Sequence, residues 1–152
     1  MNLNNLTLLF TRDIIKVKTE IESYRMESNL WRVEGEITNS GGTLCMHLIG
    51  NLNAYIGVGL ALTDYVRDRK NEFAGEGVSR TTLLQQLDDT LAVVTLGLSN
   101  LEASQLQDPF PIDIWDEPTE MEFTLLHLLT HLNYHLGQIN YHRRLIDVPT
   151  IG

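Results

Sequence analysis

The sequence predicts an all-α fold, a four-helix bundle in a single domain spanning residues 1–152. Three observations lead there. Four long segments repeat apolar residues at three- and four-residue spacing, the period of a helix with one buried face. The stretches between them are charged, glycine-bearing or proline-rich, compositions that interrupt helices. No stretch alternates apolar and polar residues as a half-buried strand does, and no internal repeat is visible.

The first helix is expected over Leu3–Ile21, where Leu6, Leu9, Phe10, Ile14, Val17 and Ile21 line one face and charged residues fill the other. Met26–Gly42 carries Trp31, Gly35, Gly41 and Gly42 among polar residues and reads as a long connection. Asn39 or Ser40 can cap a second helix, whose period through Leu44, Leu48, Leu52, Tyr55, Ile56 and Leu60 continues to about Tyr65. The charged segment RDRKNEFAGEGVS breaks that period, and Ser79 can cap a third helix over Arg80–Leu101 with Leu84, Leu87, Leu91, Val94 and Leu98 as its stripe. Pro109, Pro111 and Pro118 prevent a helix from crossing the next loop. Thr119 followed by Glu122 is spaced as a capping box, and Phe123–Ile146 reads as the last helix.

Composition narrows the function classes. At 152 residues the chain can bury a real core without disulfide or metal staples. A formal charge of −9 with only 11 Lys and Arg argues against nucleic acid, which needs clustered cations along a phosphate track. Cys45 is the only cysteine, so no intrachain disulfide can form. The start MNLNNLTLLFTRD lacks a basic leader and a small-residue cleavage site, and no run of about twenty apolar residues exists to span a membrane. A cytoplasmic location is the expectation.

The chemistry concentrates in histidine. All five histidines fall in two predicted helices, four of them in the last, at 127, 131, 135 and 142. With Gln138 these four occupy an arc of roughly 80° on one face of that helix. Beside the stripe runs a ridge of Leu125, Leu128, Leu132, Leu136 and Ile139, so more than half of the helix circumference asks for burial. Either neighbouring helices cover all of it, or part of the ridge, with Tyr134 or Tyr141, forms a homodimer surface.

Histidines four residues apart lie about 6 Å apart along a helix axis and can converge on one cation. His131 and His135 have that spacing, and His47, in the apolar context LCMHLIGN, is the third imidazole a bundle can bring across its core. Spacing alone allows His127 in place of His131, and a lone buried histidine is more often a hydrogen-bonded core residue than a ligand. Three imidazoles with an open fourth position match catalytic metal centres, and zinc, nickel and iron all accept imidazole. Asn51, one turn beyond His47, and Gln138 are placed to orient a bound group. Glu72 and Asp64 are the carboxylates with reach of the bundle mouth, although charged loop residues are usually solvated. Cys45 points about 200° away from His47 and reads as core. His142, beside Arg143 and Arg144, reads as a solvated residue complementing the helix dipole. Trp31 and Trp115 read as loop anchors, or as lining of the pocket entrance.

HLLTHLNYHLGQINYHRRL near the C-terminus and LCMHLIGNLNAYIG earlier resemble the DinB-like superfamily of metal-binding helical bundles over nearly the whole chain, while LWRVEGEITNSGGTLCMHLIGN and YVRDRKNEF look like a small bacterial branch of it. In that superfamily one histidine of the second helix and an H-x-x-x-H pair before a Gly-Gln dipeptide hold the metal. The resemblance therefore implies His47, His131 and His135 as ligands, with Gly137 and Gln138 as the dipeptide and His127 as an additional histidine one turn earlier. It also implies an up-down-down-up topology and commonly a homodimer. Some members are transferases or isomerases that use low-molecular-weight thiols such as bacillithiol or mycothiol, the metal lowering the pKa of the bound thiol. Two function classes follow: a metal-dependent thiol transferase or related hydrolase with a metal-bound thiol or water as nucleophile, or a non-catalytic, metal-stabilised dimer that serves stress response or partner binding.

Overall fold

In the computed structural model, which describes residues 1–74 and 77–149, the chain is all-helical. Helix α1 spans Leu3–Glu22, α2 Gly41–Leu52, α3 Arg69–Glu72, α4 Arg80–Ser99 and α5 Met121–Ile146. Two 3-10 turns, Glu27–Trp31 and Ala103–Gln107, sit in the connections after α1 and α4. Among the described residues the only β-type pairings are two isolated bridges, Glu34 with Ile37 and Pro109 with Glu120. No helix among these residues is long and apolar enough to cross a membrane.

Capping residues set where the helices begin. Asn2 accepts from the Asn4 and Asn5 amides at α1, Ser40 from the Thr43 amide at α2 and Ser79 from the Thr82 amide at α4, so each side-chain oxygen satisfies amides left free by the first turn. The start of α5 differs from expectation. Thr119 does not cap it: its carbonyl accepts from Phe110 N, its hydroxyl pairs with Thr124 Oγ1 at 2.7 Å, and Glu120 stands at the cap without a side-chain bond. The Asp108 carbonyl takes up the Met121 amide instead, so a long-range loop contact does the work of a local cap.

The second helix also ends earlier than its apolar period suggests. After Leu52 it widens into a π-helical turn over Asn53–Gly57, and Leu60 N and Ala61 N both donate to the Ile56 carbonyl. Asn100 Nδ2 donates to the Leu60 carbonyl at 3.0 Å, and Leu62 adopts a left-handed φ of 56° that breaks the helical path. The chain then runs without regular structure to Asp68, whose carboxylate caps the single turn α3 inside the segment read as a break.

Burial follows the predicted stripes with one rotation. On α1, Leu6, Phe10, Ile14, Val17 and Ile21 are buried as expected, whereas Leu9 is only half-buried at the margin of the face. On α4 the buried face is Leu83, Leu87, Thr90, Val94, Gly97 and Leu98, so Leu84 and Leu91 sit at its margin rather than its centre. Every residue of α2 is buried, because α4, α5, α3 and the first 3-10 turn all pack on it. The α5 ridge of Leu125, Leu128, Leu132, Leu136 and Ile139 is buried within the chain itself, so neighbouring helices provide the cover that the sequence demands.

Side-chain pairs orient the long helices. Asp13 meets Asn133 and Glu20 meets Asn140 and Arg143, so α1 and α5 run the same way. Lys18 bonds Asp88 while Leu3 and Thr7 lie near Thr95 and Leu98, so α4 runs against α1. Asn53 donates to Thr90 and Ile56 packs on Gly97, so α2 runs with α4; it runs against α5, with Gly41 near His142 and His47 near His131.

Candidate metal centre

The α2–α5 seam brings three imidazoles together. His47, on the fully buried α2, directs Nε2 to within 3.2 Å of His131 Nε2, and His135 Nε2 lies 3.1 Å from the same atom. The three ligand atoms all lie within 4.8 Å of one another. His131 and His135 share a face of α5 because four residues make just over one turn. His127 continues the column, its ring stacked 6.2 Å from that of His131, but it does not join the cluster. The structure thus brings together the trio that spacing alone left open.

Hydrogen counting shows what the cluster suits. His47 Nδ1 lies 3.2 Å from Glu72 Oε2 and His135 Nδ1 lies 2.7 Å from Gln138 Oε1, both acceptors, which favours Nδ1–H on each ring. Their Nε2 atoms then carry lone pairs, and both point at His131 Nε2. That atom holds one hydrogen at most, to be shared between two contacts, and with the proton on Nδ1 three lone pairs meet with no hydrogen between them. A cation at the centre of the cluster resolves the conflict. Tetrahedral ligation at the Zn–N distance of 2.0–2.1 Å needs nitrogens about 3.3 Å apart, close to the two short spacings here.

The electrostatics point the same way. Burial, reinforced by the neighbouring histidines, lowers the His131 pKa to about 4. Burial also lowers His47, partly offset by its hydrogen bond to Glu72, and lowers His135, partly offset by Gln138. All three are neutral at pH 7, the form that donates a lone pair to a metal.

Behind His47 lies a carboxylate that sequence spacing left as a loop residue with reach of the mouth. Glu72 is 4% exposed, and Arg67 holds it through Nε–Oε1 at 2.7 Å and Nη2–Oε2 at 2.9 Å. Gly50 makes the space: a Cβ there would overlap the Glu72 carboxylate. Arg67 was not singled out by spacing; the only hint was a cation five residues before an acid in YVRDRKNEF. Asp64, by contrast, is exposed and is not in the cluster.

The remaining candidates divide. Gln138 bonds His135 and also lines a pocket of ≈ 320 Å³ with Glu36, Thr38, Asn39, Leu44 and His142. Asn51 is buried on α2, and its Oδ1 has no hydrogen-bond partner among the described residues. Cys45 is buried, and burial raises its thiol pKa to about 12, consistent with a core role. His142 overturns its expected solvated role: it is 3% exposed, with Nδ1 2.7 Å from Tyr24 Oη and Nε2 donating to the Arg32 carbonyl at 2.8 Å. It ties α5 to the connection that follows α1, at Tyr24 and Arg32, because α1 and α5 run side by side and that connection folds over their ends. Trp31 packs on Gly42, and Trp115 meets His127 edge to face at 4.7 Å, beside the column rather than away from it. Phe73, not singled out in the sequence, approaches His47 at 5.2 Å, and Tyr134, read there only as a dimer-surface candidate, approaches His135 at 5.2 Å.

Fold and site together define an all-helical protein with a trihistidine cluster between two long helices. The chain belongs to the family described as protein of unknown function DUF1572, whose model matches residues 11–149. Among solved structures it is similar to the crystal structure of a conserved protein from Enterococcus faecalis, at 18% identity and a TM-score of 0.71, over 96% of this chain and 98% of that one. That likeness concerns the fold. No curated protein matches the chain.

Proposed function

We propose that this chain is a DinB-like metal protein in which His47, His131 and His135 hold a divalent cation (zinc, nickel or iron), and that it works in the cytoplasm as a metal-dependent thiol transferase or related hydrolase. The observation that carries the reading is the convergence of three Nε2 atoms with too few hydrogens to satisfy them. The helix directions, α1 with α5 and α2 with α4, support an up-down-down-up four-helix bundle. A cation bound there supplies Lewis acidity, which lowers the pKa of a thiol or water that it takes up.

The chain's own residues have definite parts in this reading. His47 and His135 present Nε2 because Glu72 and Gln138 occupy their Nδ1 atoms. Gln138 links the trio to the pocket along the seam, the place for a small-molecule substrate or thiol. Asn51, one turn beyond His47, is the further candidate for orienting a bound group, its buried Oδ1 having no hydrogen-bond partner among the described residues. Exposed Tyr134 and Tyr141, each 64% accessible, are the α5 residues available to a homodimer contact.

A second reading, a metal-stabilised protein without turnover, is favoured by one feature: Glu72, the carboxylate in hydrogen-bond contact with His47, is paired with Arg67 and faces the back of that ring, so it is not free as a base. Metal quantification on untagged wild type and His131→Ala, followed by thiol-conjugation and hydrolysis screens on both, tests the proposal. Near-stoichiometric metal in the wild type, lost in the variant with helical content retained, is the expected result. Absence of bound metal even after reconstitution with zinc, nickel and iron overturns it, and metal without turnover favours the second reading.

A further inference from the structure

We propose that Arg67 and Glu72 are a positioning pair that holds His47 in its Nδ1–H tautomer and so delivers the Nε2 lone pair to the trio. The inference rests on the metal reading for its purpose but not for its geometry. Two groups compete for His47 Nδ1: Glu72 Oε2 at 3.2 Å, which accepts, and Arg67 Nη2 at 3.3 Å, which donates. Arg67 Nε and Nη2 each direct one hydrogen to a Glu72 oxygen, at 2.7 and 2.9 Å, which leaves only the second Nη2 hydrogen for Nδ1, at the longest of these contacts. The fork geometry fixes the carboxylate in both position and rotation. Its remaining lone pair faces Nδ1, so the ring carries its hydrogen there and turns a bare Nε2 toward His131.

The chain invests in this arrangement. A carboxylate this deeply buried is costly unless paired, and Arg67 supplies the pairing from the irregular stretch after α2. Asp68 caps the one-turn helix that carries Glu72, and Phe73 packs on the His47 ring at 5.2 Å. Gly50, in the middle of α2, leaves the space that the carboxylate fills. Glu72 and Arg67 thus meet at one nitrogen of one imidazole, with Asp68, Phe73 and Gly50 in support, although none of the five belongs to the trio. Second-layer carboxylates of this kind orient metal-binding histidines and raise their basicity.

The test is Glu72→Gln. With Gln Oε1 held by Arg67, the amide N–H₂ faces His47 and reverses the polarity at Nδ1. Long-range ¹H–¹⁵N spectra of the cation-stripped protein at pH 7.5 are expected to show His47 as Nδ1–H in wild type and Nε2–H in the variant. Zinc titration of the same samples by calorimetry is expected to show affinity falling about 10- to 100-fold in the variant. An identical His47 tautomer in the two proteins overturns the proposal, as does an unchanged zinc affinity. Should Glu72→Gln not fold, Gly50→Ala displaces the same carboxylate from the other side and is expected to give the same switch. If the wild type takes up no zinc, the metal reading fails on its own, and the tautomer comparison alone decides the role of the pair.

Discussion

Gly50→Ala separates local helix propensity from tertiary packing, because the two make opposite predictions. Gly50 lies inside α2, where alanine is favoured over glycine by about 1 kcal/mol, so helix propensity predicts stabilisation. The structure predicts the reverse. A Cβ at this position would overlap Glu72 Oε1 and sit 2.6 Å from its Cδ and 3.3 Å from its Cγ. The carboxylate cannot simply step aside, since Arg67 and His47 hold it in a buried site. Breaking a buried ion pair costs about 3–5 kcal/mol, so after the propensity gain the net loss is about 2–4 kcal/mol. For a chain of this length each kcal/mol moves Tm by about 2–4 °C, so a fall of about 4–16 °C is expected in thermal melts followed by circular dichroism. Glu72→Ala removes the obstacle, so adding Gly50→Ala to that background is expected to cost nothing or to stabilise. A Gly50→Ala protein that melts above wild type refutes the reasoning, as does a penalty of equal size in the Glu72→Ala background.

Gly137→Ala provides the contrast: nothing lies within 4 Å of a Cβ placed there, so a gain of about 0.5–1 kcal/mol is expected in urea denaturation. Tyr24→Phe removes the hydroxyl partner of buried His142 Nδ1 and is expected to cost about 1–3 kcal/mol in the same assay, with helical content unchanged. Leu128→Ala opens a cavity at a side chain that is fully buried between helices, and a loss of about 2–5 kcal/mol is expected. Acid should weaken the cation-free protein: the folded pKa of His131 lies near 4 and the unfolded value near 6.5, so the unfolded chain binds more protons between them. Stability contributed by keeping this ring neutral is complete above pH 6.5 and is lost as pH falls toward 4. His47, His135 and His142, all lowered by burial, add in the same direction. A flat urea midpoint between pH 7 and pH 4.5 would contradict this.

Much of the molecule was legible in one dimension because it depends on local period and local capping. The α1 face, the Ser40 and Ser79 caps and the proline-marked loop before α5 each arise from interactions among residues a few positions apart. The His131–His135 pair was legible for the same reason, since helix geometry alone places residues four apart on one face. Where the reading departed from the structure, a distant partner intervened. The Asp108 carbonyl displaced a local capping box at α5, Asn100 helped to close α2, and Tyr24 drew His142 inward.

By itself, then, the sequence determined an all-helical chain, its main apolar faces and a histidine-lined last helix, because helical period and side-chain type are properties of neighbours along the chain. Only the tertiary structure decided that His47 meets His131 and His135 while His127 does not, and that the charged loop sends Glu72 inward to the back of His47. Those outcomes depend on how helices are oriented, packed and spaced across the core. Residues 84 positions apart, such as His47 and His131, carry no sequence signal of their mutual distance until the intervening chain has folded.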